Sequence, residues 1–167
     1  MIRYARTSDH AAIEATLVAA FGRQDEADLV AQLRADEDCI FEMVAEEAGE
    51  VVGHILFSRL WADVFELYSA LAPVAVRPDW HRQGLGSRLI RSGLESAREF
   101  GCFGILVLGD PVFYGRFGFT AEATRLVRAP YAGLAAFQAL ALEEDAFASA
   151  MSVTYPDAFH PKPMVPT

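Results

Sequence analysis

The sequence predicts one mixed α/β domain over residues 1–167, with strand-like and helical patterns in the order β-α-α-β-β-β-α-β-α-β-β. Three observations carry this. Residues 39–46 and 50–60 are strand-like and separated by a turn at Ala48-Gly49, so they pair antiparallel as a hairpin. Residues 84–100 place Leu85, Leu89, Ile90, Leu94 and Ala97 at helical spacing. Residues 103–108 form a continuous apolar run, the mark of a buried strand.

The remaining elements follow in chain order. Residues 2–6 alternate apolar and polar and read as a strand. Thr7, Ser8 and Asp9 offer N-caps to the apolar helix HAAIEATLVAAFG, which ends at Gly22. Residues 25–36 form a second helix with Leu29, Val30 and Leu33 on one side. Residues 65–76 are mostly apolar and strand-like. Pro73 inside them has no N–H for a ladder bond, so a bulge or local splay is expected. Gly101 stops the long helix. Residues 112–117 read as a short helix before Gly118, a strand resumes at Phe119, and residues 136–142 are another. Residues 155–167 hold four prolines among thirteen residues and predict an irregular tail.

Composition excludes several classes. About 53% of residues are apolar, enough for a core at this size. Mean hydropathy is +0.20, yet no apolar run reaches the roughly 18 residues of a membrane span, so no membrane partner is expected. The opening MIRYARTSDH lacks the apolar stretch of a signal peptide. Cys39 and Cys102 stand far apart in no metal spacing; one disulfide stays open, but free thiols in a cytoplasmic protein are the expectation, with no metal. A net charge of −9 and a pI near 4.8 argue against a nucleic-acid partner and, through long-range steering, favour a cationic second substrate. Five of the 14 basic residues nevertheless lie between Arg77 and Arg98. Arg82 and Arg88 are candidates for holding an anion; Arg91 and Arg98 read as ordinary helix-surface arginines.

The segment VAVRPDWHRQGLGSRLI, residues 74–90, is where function becomes arguable. It reads as a strand, a polar turn, Gly84 and Gly86, then a helix. Backbone without Cβ atoms lets a ligand approach closely. The first amides of the helix lack intrahelical partners, and the helix dipole adds about half a positive charge there. Together these make an anion site, most often for phosphate. No GxxxxGK[ST] run exists, and Leu89 stands where a dinucleotide-binding turn needs its third glycine.

This segment resembles the acyl-CoA pyrophosphate signature of the GNAT acetyltransferase superfamily. The resemblance implies a GNAT-type acyl-CoA N-acyltransferase fold: a largely antiparallel mixed sheet flanked by helices and splayed between the strands ending near Val76 and Leu108. It implies backbone contacts to acetyl-CoA from Val74, Ala75 and Val76, then Arg82, Gln83, Gly84, Gly86 and Ser87. One position departs from the motif: His81 stands where Gln or Arg is frequent.

A second signature, LGDPVFYGRFGF, carries Tyr114 about 30 residues after the glycine turn. By itself a tyrosine among Phe113, Phe117 and Phe119 is as well a core aromatic. In the family, the matching tyrosine approaches the acyl-CoA sulfur, and the resemblance assigns Tyr114 the protonation of the leaving thiolate. The match extends over roughly residues 1–147, and a later APYxG and AFQALALEE are similar to the subgroup called YhbS-like. The implied reaction moves an acetyl group from acetyl-CoA to an amine of a small molecule or peptide by direct attack; transfer to oxygen stays open.

Many relatives carry a carboxylate on the strand before the glycine turn, and residues 67–78 hold none. Glu66, Asp110 or water is left as base, with Asp110 also suited to capping the short helix. His54, alone on a strand, reads as packing. Trp61, Phe65 and Tyr68 are candidate walls for the acceptor or ordinary core. The alternative reading is a non-catalytic acyl-CoA-binding or regulatory module. A homodimer is common among relatives, and the aromatic C-terminal half offers material for one.

Overall fold

The computed structural model describes residues 1–160. β1 (Ile2–Tyr4) pairs antiparallel with β2 (Cys39–Glu47), and between them run α1 (His10–Phe21) and α2 (Asp25–Ala35). Gly22 ends α1 at φ +69°. Three acidic residues in the first turn of α2 and Arg34 in its last complement the helix dipole. β2 turns into β3 (Glu50–Ala62) through Ala48 and Gly49, both at positive φ, as a tight hairpin requires. β4 (Leu67–Val76) pairs antiparallel with β3. α3 (Leu85–Glu99) then crosses to β5 (Cys102–Leu108), which lies parallel to β4. α4 (Pro111–Gly115) and the two-residue β6 (Val127–Arg128) precede β7 (Phe137–Ala141), antiparallel to β5. β8 (Met151–Thr154) pairs with β6 and with the end of β3.

The main sheet runs β1-β2-β3-β4-β5-β7. α3 packs on one face, where Leu85, Leu89, Ile90 and Leu94 meet Ile55, Phe57, Leu71 and Ile105. α1 and α2 pack on the other, where Ile13, Leu17, Val30 and Leu33 meet Val44, Leu56 and Ala75. Alternation along each strand thus feeds two cores. A third cluster, around Tyr68, Phe137, Phe147 and Tyr155, gathers the C-terminal segments.

The expected splay is present. β4 pairs with β5 only from Leu67 to Leu71, opposite Cys102 to Val107. From Val74 to Val76 it stays paired with β3 alone, after a register shift between Ile55 and Phe57. Pro73, with no N–H to donate, sits at that shift. The backbone groups on the β5 side of this half-strand have no strand partner.

The sequence reading differs at three places. Instead of a strand from Phe119, there is a single bridge from Thr120 to Ala139, a turn at Glu122–Thr124, and short β6. The segment TAEATRL lacks the alternation that a longer strand needs. β8 was not foreseen; its Met151 and Val153 point inward while Ser152 and Thr154 do not, a pattern only four residues long. Phe65 is not in a strand but stands wholly exposed in the loop before Leu67. Of the expected irregular tail, residues 155–160 carry buried Tyr155 and Ala158 and a turn at Asp157–Phe159; residues 161–167 lie outside the described residues.

Candidate active site at the splayed strands

The turn after β4 is tied down at both sides. Arg77 N–H donates to Val52 O (2.8 Å). Pro78–Trp80 forms a 3-10 turn, and His81 Nε2 donates to Val76 O at 2.7 Å. The unusual residue at position 81 therefore braces the strand end. Arg82 follows at φ +64° and Gly84 at φ +77°, with Gln83 between. Such alternation turns consecutive amides inward as an anion-binding nest. Gly84 caps α3 with no side-chain hydrogen bond, so the first amides of a fifteen-residue helix keep their donors free. At Gly86 the need is space: an added Cβ would meet only Phe113 Cζ at 3.8 Å and Val76 Cγ2 at 3.9 Å, so it would fit the protein and fill the approach.

A cleft of about 380 Å³ joins this turn to α4. Of the residues foreseen, Val74, Val76, Arg82, Gly84, Gly86, Ser87 and Tyr114 line it, together with Trp80, His81, Leu85, Phe113 and Arg116, which sequence reasoning did not assign to it. Ala75 points away, buried against α1, and offers only its backbone. Gln83 is exposed outside the wall. Arg88 approaches Glu47 at 4.0 Å, Arg91 lies over the Phe117 ring, and among the described residues Arg82 has no ion pair.

Tyr114 rides on α4, which Asp110 initiates: its Oδ1 accepts from Val112 N–H at 3.0 Å, with Pro111 opening the helix. The phenol packs edge-on against Phe113 and Phe119. Burial pushes its pKa up to about 12, so it stays protonated at neutral pH.

Other expected residues lie elsewhere. Glu66 precedes the opposite end of β4, and at about 3.3 Å per residue it stands roughly 20 Å from Ala72, where the strands part. Trp61, Phe65 and Tyr68 share that remote end. Trp61 lies beneath Arg59, Phe65 faces solvent, and Tyr68 is core, its hydroxyl donating to Ala146 O. They do not line the cleft. His54 is fully buried on the α1/α2 face of β3. Its Nε2–H donates to Glu42 Oε1 (2.7 Å), and Arg34 grips the same carboxylate at 2.7 and 2.8 Å. Nδ1 has no partner, which fits a neutral ring with its bare lone pair inward. Burial lowers the His54 pKa against the pull of Glu42. Burial alone would raise the Glu42 carboxyl, but Arg34 and His54 hold it at about 2.

A mixed sheet opened between two parallel strands, with a helix N-terminus and a half-buried tyrosine meeting at the opening, defines the acyl-CoA N-acyltransferase class. The Acetyltransferase (GNAT) family profile matches residues 7–119. The chain is 36% identical over 149 residues to the uncharacterized N-acetyltransferase YhbS of Escherichia coli, covering 87% of this chain and 89% of YhbS. It is 42% identical over 120 residues to the uncharacterized N-acetyltransferase YjhQ of Escherichia coli, covering 67% of this chain and 65% of YjhQ, just under two thirds. It superposes on the crystal structure of Escherichia coli YhbS in complex with CoA with a TM-score of 0.89 at 34% identity, over 96% of this chain and 91% of that one. A GNAT family acetyltransferase from Brucella melitensis in complex with acetyl-CoA gives 0.81 at 36% identity, over 95% and 97%. The chain belongs to the GNAT acetyltransferase family. Among the described residues, no helix is long and apolar enough to cross a membrane, and no group of three or more metal-ligating side chains occurs.

Proposed function

We propose that this protein transfers the acetyl group of acetyl-CoA to an amine of a small molecule or peptide by direct attack. The observation that carries the reading is the single cleft walled by both the free amides before α3 and the Tyr114 ring. The pyrophosphate of acetyl-CoA would sit on the amides from Arg82 to Ser87, where the nest and the helix dipole add. Pantetheine would run along the unpaired edge of Val74, Ala75 and Val76, whose backbone would polarise the thioester carbonyl.

The amine lone pair attacks the carbonyl carbon, and a C–N bond forms as the π electrons move to oxygen. Collapse of the tetrahedral adduct breaks the C–S bond, and the sulfur takes the Tyr114 proton. The ammonium proton leaves through water and restores the phenol. Asp110 serves this reading as the cap that orients α4.

The relatives solved with CoA and acetyl-CoA support the co-substrate. Calorimetric titration of acetyl-CoA, with NAD and ATP as controls, tests it. Micromolar binding of acetyl-CoA alone is expected, followed by an amine screen read as CoA release. Equal binding of NAD or ATP, or none of acetyl-CoA, would overturn the reading.

A further inference from the structure

We infer that Gly109 and Gln138 are positioning residues that set the Tyr114 hydroxyl, an inference that rests on Tyr114 being the proton donor. A Cβ on Gly109 would lie 2.3 Å from Cε2, 2.8 Å from Cδ2 and 3.3 Å from Cζ of Tyr114. Those are atoms of a rigid ring, packed against the spot a side chain would occupy. With a side chain at 109, either the backbone or the phenol must move.

The backbone is held. Gly109 N–H donates to Ala136 O at 3.0 Å, and Gly109 O accepts from Gln138 Nε2 at 3.2 Å. Gln138 is 1% exposed, sits on β7 opposite Val107, and also reaches Ala136 O at 3.4 Å. A buried amide with these partners is costly to displace. The phenol is therefore the part that yields, although Phe113 and Phe119 bound it with ring centroids 5.1 and 5.8 Å away. The cleft's tyrosine is seated against strand-end backbone that β7 locks from the side of β5 remote from the glycine turn.

Restoring ordinary carbon–carbon contact moves the ring by roughly 1 Å, and a displacement of that size at a reacting centre costs about 100-fold in rate. Gly109→Ala should accordingly shift the ring in a crystal structure with bound CoA. It should slow acetyl-CoA cleavage, read as free thiol with water as acceptor, by about 100-fold, with acetyl-CoA affinity changed less than about threefold. Gln138→Leu, which keeps the bulk and removes the donor, should act in the same direction by about tenfold. Neither change should slow a Tyr114→Phe background further, because the group they position is already gone. An unmoved ring in Gly109→Ala, or equal losses with and without the Tyr114 hydroxyl, would overturn the assignment. Wild-type turnover by Tyr114→Phe would instead overturn the proton-donor reading, while the ring position in Gly109→Ala still decides the seat.

Discussion

The two ends of the cleft are built in opposite ways. The cofactor end is made by one contiguous stretch, from Val74 to Ser87, in which strand, braced turn and helix start follow one another. The tyrosine end is assembled from three elements: Gly109 after β5, Tyr114 on α4, and Gln138 on β7. At the first end the proposed binding groups are main-chain amides, fixed by backbone dihedrals. At the second the proposed proton donor is a single side-chain oxygen, fixed by packing. Damage to the turn should therefore appear in affinity, and damage to the tyrosine seat in turnover.

The largest expected effect follows from the second half of that statement. Tyr114→Phe keeps the ring and its contacts with Phe113 and Phe119 but removes the proton. Steady-state kinetics should show kcat lower by about 10²–10⁴, with calorimetric acetyl-CoA affinity unchanged within about threefold. Parallel losses in kcat and affinity would mean that the two ends are not separable. Unchanged kcat would point to a donor other than Tyr114, and acetyl-CoA binding without turnover in the wild type to a binding module.

Acid inactivation tests whether a third group confuses the comparison. Behind the splayed strand, on the other face, lies the Arg34–Glu42–His54 cluster. Glu42, held at about 2 against an ordinary 4.5, contributes stability above pH 4.5 that is lost as pH falls through 2. The loss is on the order of 3 kcal/mol. His54, lowered by burial, adds stability above its ordinary 6.5 that is lost on acidification below it. Asp38, raised by burial, works in the opposite sense. The melting temperature should thus fall from about pH 6.5 downward and more steeply below 4.5. His54→Gln, which retains a donor for Glu42 but does not titrate, should flatten the arm between pH 6.5 and 5. An unchanged arm would place the proton uptake elsewhere, and acid loss of activity would then bear on the cleft itself.

The contrast between the two ends also explains what could be read from sequence. The glycine turn was legible because its whole geometry lies in neighbouring residues: Pro73 breaks the ladder, and Gly84 takes φ +77°. Tyr114 was singled out only by the resemblance of its segment to the family motif, since by itself a tyrosine among Phe113, Phe117 and Phe119 reads equally as core. Its seat was not legible, because nothing local to Gln138 says that its amide reaches Gly109, 29 residues earlier. For the same reason the placing of Trp61, Phe65 and Tyr68, candidate acceptor walls or ordinary core, away from the cleft could not be foreseen. Their aromatic character was plain, but which end of β4 opens depends on where β5 stops pairing.

The two glycines of the turn should separate space from conformation, at smaller magnitude. Gly86→Ala meets nothing closer than 3.8 Å, so it should fold with an unchanged melting temperature yet weaken acetyl-CoA binding by about tenfold, or ~1.4 kcal/mol. Gly84→Ala forces a side chain to φ +77° and should cost about 1 kcal/mol of stability as well. Equal stability losses in both variants would show that Gly86 is also a structural glycine and that the approach over the turn is not what limits residue size there.

The smallest effect carries the question of the base. Asp110 is exposed, and its Oδ1 receives Val112 N–H as the cap of α4. Asparagine caps about as well as aspartate, whereas alanine costs about 1 kcal/mol. If capping is its whole role, Asp110→Asn should match the wild type in melting temperature, in kcat and in the pH profile of kcat. Asp110→Ala should melt lower and lose some turnover as α4 and Tyr114 loosen. A base would give the reverse pattern. Asp110→Asn would then keep its stability and lose its kcat, together with the acidic limb of the pH profile, because the asparagine amide caps the helix but takes no proton. Since the two substitutions differ in which property they preserve, the pair distinguishes a carboxylate that orients the tyrosine end from one that takes part in the reaction there.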